Sequence, residues 1–192
     1  MKKSLWIFIL PISFLPLFSQ GNDLFLRYSP GTNSRDIIAN EGDPDSVVLG
    51  EEDNSYKRYH YNNKYVNGYN VNISYVFIDD ILVDTGYTII ISDTIIFSEK
   101  NEETIRNIFE KIYNYYNENY GQSQITEKEG NSSYLIIYEA LWKIRDIPLG
   151  IDTREYIIIT MQLPIPPHGS NFNDRIYYDN TYVLIRHTMI DP

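Results

Sequence analysis

The sequence predicts an α+β protein: two helix-plus-three-strand repeats forming an antiparallel sheet of about six strands, with the helices packed on one face. Three observations predict it. Two helical segments end at glycines, Gly42 and Gly121. A polar loop follows each stop. Runs of alternating apolar and polar residues, the period of a half-buried strand, follow each loop.

The elements justify this in order. Residues 1–20 read as a secretory signal, leaving residues 21–192 as one domain with repeats at 30–98 and 99–192. Lys2 and Lys3 form a basic start, residues 5–18 are apolar but broken by Pro11 and Pro16, and cleavage fits after Ser19 or after Gly21. The run is short for a membrane anchor and lacks a basic stop-transfer flank. No integral membrane segment is expected after cleavage. In the first helix Asn33 or Ser34 caps the orphan N–H groups and Asp36 suits the positive end. Gly42 and Pro44 stop it. Residues 50–55 form an acidic loop, and 56–61 a strand with Tyr59 and Tyr61 on one face. Residues 62–68 hold turn chemistry. Residues 69–77 alternate over the whole run, Asp79-Asp80 makes a tight turn, and 81–91 returns as the partner. The second helix spans 101–119, capped by Asn101, with Ile105, Ile108, Phe109, Ile112 and Tyr116 on its apolar face. After a polar loop at 126–132 come strands at 134–143, 154–163 and 181–190.

Composition narrows the function. The chain carries 16 basic and 26 acidic residues, a net charge of −10, which argues against non-specific binding to nucleic acid or anionic lipid. Zero cysteines exclude disulfides, thiolate metal sites, a cysteine nucleophile and a lipidated N-terminal cysteine. An exported chain without cysteine, behind a short Lys-Lys signal, points to a bacterial periplasm or cell surface. The 18 tyrosines accompany abundant Ile and Asn, residues that share AT-rich codons, so genome composition accounts for most of them.

Helix, glycine stop and antiparallel meander, carried by Ile37, Ile38, Gly42, Pro44, Asp45 and the strand pair 69–87, resemble the BamE/SmpA-type domains of exported envelope proteins. Doubled, the pattern is similar to the tandem architecture of the β-lactamase-inhibitor protein. The resemblance implies the fold and an envelope location. The chain departs from both patterns, lacking the lipidated cysteine of the first and the disulfides of the second. No functional residue is carried over from either.

Chemical signatures are sparse. His60, His168 and His187 have no metal-ligand spacing. Neither a nucleophile elbow nor a phosphate-cradling glycine loop is present, so no catalytic residue, metal or cofactor is expected. Glu139, Asp146, Asp152 and Glu155 are the carboxylates a hydrolase would cluster, and no spacing demands that they meet. Trp142 reads as a packing residue. On the strand at 154–163, Ile157, Ile159, Met161 and Leu163 point to the helices, leaving Tyr156, Ile158, Thr160 and Gln162 opposite. The last strand fits either phase, with Val183, Ile185, His187 and Met189 opposing Tyr182, Leu184, Arg186 and Thr188. Tyr156, Tyr182 and Arg186 are the candidate binding anchors, residue types enriched in interface hot spots. The expected role is non-enzymatic protein binding or scaffolding, with another envelope protein as partner. A carboxylate-dependent hydrolase and a small-ligand carrier are the alternatives.

Overall fold

The structure, a computed structural model, describes residues 24–50, 55–89, 99–129, 135–148, 152–164 and 182–189. The expected signal segment 1–20, residues 51–54 of the expected acidic loop and His168 lie outside these residues.

Helix α1 (Ser34–Glu41) leads into strands β1 (Ser46–Leu49), β2 (Tyr56–Val66), β3 (Tyr69–Ile78) and β4 (Ile81–Ile89). Helix α2 (Glu99–Tyr120) leads into β5 (Ile125–Glu129), β6 (Leu135–Pro148), β7 (Asp152–Pro164) and β8 (Tyr182–Thr188). Among the described residues these eight strands join one antiparallel sheet in the order β1-β2-β3-β4-β8-β7-β6-β5.

This corrects the expected fold class. The described residues are mostly β, 56% strand against 23% helix, and not a six-stranded α+β repeat. The two unforeseen strands, β1 and β5, form the edges of the sheet, and every residue in them is exposed. An edge strand stabilised by its backbone ladder buries no face, so it leaves no alternating pattern to read. β2, β3, β6 and β7 run further than expected, and the described parts of β4 and β8 stop short of 91 and 190. β2 continues through Asn62-Asn63 by a bulge, with Asn63 at φ 52°, and the turn falls at Asn67-Gly68 instead. α2 begins at Glu99, so Asn101 lies within it rather than capping it.

Local chemistry explains the joints. The Asn33 side chain accepts a hydrogen bond from the Arg35 N–H at 3.0 Å, and the Gly42 N–H donates to Ile38 at 2.9 Å. Gly42 sits at φ 85°, ψ −172°, a region in which only glycine is comfortable. Asp79 and Asp80 take φ 52° and 63° in the β3–β4 hairpin, an αL pair that short polar side chains tolerate.

One apolar cluster contains Ile37 from α1, Ile105, Phe109, Ile112 and Tyr116 from α2, and one face of the sheet. Ile73, Tyr75, Tyr87, Ile157, Ile159, Val183 and Ile185 define that helix-side face. β8 therefore takes the phase that turns Val183, Ile185 and His187 inward. Trp142 is buried between Tyr113 and Tyr116, and its indole N–H donates to the Gly121 carbonyl at 2.8 Å, tying the end of α2 to β6. Among the described residues no helix is long and apolar enough to cross a membrane.

Candidate functional site

Three places on this frame hold chemistry beyond packing: the sheet face away from the helices, a buried polar row beneath them, and the two sheet edges.

The register places Tyr156, Tyr182 and Arg186 on the far face, since Tyr156 opposes Thr188, Ile158 opposes Arg186 and Gln162 opposes Tyr182. The three do not form one exposed patch. Tyr156 is only 6% exposed, so its ring is packed within the protein. The Tyr182 hydroxyl donates to Gln162 at 3.2 Å, and Arg186 reaches Asp84 on β4 at 2.8 Å. Leu141 on β6 is an exposed apolar residue of this face, as are Tyr65 on β2 and Val48 on β1, and it stands beside the Lys128–Glu139 pair at 2.6 Å. Glu139 and Glu155 lie on opposite faces of the sheet and cannot share a substrate. No three His, Asp or Glu side chains converge on a common point among the described residues.

Beneath the helices, Tyr75, Thr85 and His187 are consecutive cross-strand neighbours on β3, β4 and β8. Tyr87 stands one position along. The Tyr75 and Tyr87 hydroxyls, Thr85 Oγ1 and His187 Nδ1 are buried without a hydrogen-bond partner among the described residues. The two tyrosine hydroxyls influence each other electrostatically, yet neither reaches good hydrogen-bond geometry. Each such orphan costs about 1–3 kcal/mol unless satisfied, and buried water or a ligand is the usual remedy. His187 Nε2 meets Glu155 Oε1 at 2.5 Å, with both side chains at least 95% buried. An imidazole oriented by a carboxylate is the arrangement of a general base, but here it is sealed from solvent.

At the other end of the row, Glu41 closes α1. Its carboxylate accepts from Arg27 at 2.9 Å and from the Tyr28 hydroxyl at 3.2 Å. Burial, then the charge of Glu41, pushes the Tyr28 and Tyr61 phenols up to about 12. Burial also raises Tyr87 to about 12 and drives Tyr75 further in the same direction. These groups fasten the N-terminal segment to the sheet, with Phe25 fully buried against Tyr69 and Tyr87.

The edges differ in kind. β5 reads Ile-Thr-Glu-Lys-Glu, and charged residues of this sort block strand addition. β1 reads Ser-Val-Val-Leu, with Val47 49%, Val48 50% and Leu49 52% exposed. The Gly50 N–H donates to the Tyr56 carbonyl at 3.0 Å, and Gly50 opposes Tyr56 if the register is continued by one step. Antiparallel alternation then turns the backbone groups of Val48 toward β2 and those of Val47 and Leu49 outward. Sequence reading missed this edge, because four residues in a Pro-Asp-Ser-Val context carry no period. The signal was the three consecutive apolar residues before an acidic loop.

Comparison with protein-family models, curated proteins and solved structures finds no match.

Proposed function

We propose that the protein is an exported, non-enzymatic binding or scaffolding protein of a bacterial envelope, engaging another envelope protein through the β1 edge of its sheet. The observation that supports this is the uncharged, apolar, exposed strand β1 at one edge, opposite a charged edge at β5. Natural proteins blunt such edges unless something occupies them. The geometry supports this edge over the far-face anchors, because Tyr156 is buried and Tyr182 and Arg186 are engaged within the sheet. Export rests on the signal-like residues 1–20, and the envelope on the resemblance to BamE/SmpA-type domains. The net charge of −10 argues against non-specific binding to nucleic acid.

In-cell photo-crosslinking tests the reading. A photoreactive residue is placed at Val48 on one edge or at Glu127 on the other, in the native host. A single reproducible envelope protein joined at position 48 and not at 127 is the expected result. Absence of any crosslinked partner at 48 overturns it.

A further inference from the structure

Resting on that protein-binding reading, we infer that β1 takes an extended segment of its partner as a ninth strand, and that this segment has alternating apolar residues flanked by Lys or Arg. The backbone supplies the template: Val47 and Leu49 direct their N–H and carbonyl groups away from β2. The side chains supply the apolar part. Val47 and Leu49 share the face of Tyr59 and Lys57, Val48 the face of Arg58, and all three are about half exposed. An incoming strand with period two therefore finds an apolar neighbour on either face.

Charge selects the flanks. Asp43 and Asp45, both exposed, precede β1, and the Asp45 carboxylate accepts from the Asn62 N–H at 2.6 Å. Of the nearby basic groups, Lys57 is paired with Asp80 at 2.7 Å, and Arg58, exposed opposite Val48, lies over the Tyr56 ring. A second copy of the chain is disfavoured as occupant. Each mature copy, without Lys2 and Lys3, carries 14 basic against 26 acidic residues, a charge of −12, so two such acidic edges repel.

Two fluorescent eight-residue peptides test the inference against the purified mature chain by anisotropy. Both alternate Val and Thr through the centre, one with Lys at its ends and the other with Glu. The Lys-ended peptide is expected to bind at least tenfold tighter, increasingly so at low salt. Val47→Pro removes an outward donor while leaving the β2 ladder intact, so it should abolish binding with circular dichroism unchanged. Val47→Thr keeps the donor and should still bind. Should the proline variant not fold, Val48→Lys, on an exposed side chain, should weaken the Lys-ended peptide at least tenfold. Equal binding of both peptides, no binding of either, or wild-type binding by Val48→Lys overturns the inference. So does sedimentation showing a wild-type dimer that Val48→Lys dissociates, since a second copy would then be the occupant. A crosslinked partner at position 48 alongside peptide failure leaves the binding reading standing and removes strand addition alone.

Discussion

Phe109 and Asn107 sit two positions apart on α2, yet one is 2% exposed in the core and the other faces solvent. Phe109→Ala should cost about 3–5 kcal/mol in denaturant unfolding, by lost burial and a residual cavity. Asn107→Ala should change stability by no more than about 0.5 kcal/mol. Equal small effects would contradict the helix phase. The tyrosines give a pH prediction. Tyr28, Tyr61 and Tyr87 rise from 10.0 to about 12 in the folded state, so folding binds their protons more tightly. Their contribution is fully present below pH 10 and is lost as pH climbs through about 12. Phenolate absorbance and circular dichroism followed together should show buried phenols ionising as the fold is lost. One early absorbance step with the fold intact throughout would refute it. The phase of α2 was legible in its 3.6-residue spacing. The tyrosine cluster was not, because Glu41 and Tyr75 are brought together by the docking of α1 on the sheet.

At the level of elements, glycines separate backbone demand from space. A Cβ added to Gly42 would meet nothing within 4 Å, so its φ of 85° is the sole obstacle to another residue. Gly42→Ala should cost about 1–3 kcal/mol from backbone strain. Gly86 in β4 is the contrast: its added Cβ would touch only Leu184 Cδ1 at an ordinary 3.5 Å. Gly86→Ala should be neutral or slightly stabilising, since alanine loses less conformational entropy in a strand. Thermal unfolding of the two variants measures both, and a destabilised Gly86→Ala beside a neutral Gly42→Ala would refute the account. The α1 stop was readable because a glycine followed by Asp-Pro has a local meaning. β1 and β5 were not readable because edge strands are held by pairing with β2 and β6, not by a buried face of their own.

For the whole molecule, the basic start, apolar run and small residues near Ser19 predict removal of about 20 residues on export. Mass spectrometry of the chain from its native envelope should find a start near Gln20 or Asn22. An intact Met1 there would refute it. Phe25, fully buried against Tyr69 and Tyr87, lies only a few residues beyond the cut, so a mature chain beginning there retains its N-terminal fastening.

By itself the sequence determined the apolar stripe of α2, the glycine stops, the Asp79-Asp80 turn and the inward phase of β7. Each is written in residues that are neighbours along the chain, where a helical or strand period, or the conformational freedom of one residue, can be read directly. Tertiary structure alone decided that the described residues form eight strands in one sheet, that β4 and β8 meet at its centre, and that His187 finds Glu155 under the helices. It also decided that Tyr156 is packed away and that Val47, Val48 and Leu49 are left at an open edge. Asp84 and Arg186 are 102 residues apart and still pair across that central seam. Contacts at such separation depend on which strands lie side by side, and the pairing of backbones leaves no local pattern from which to read it.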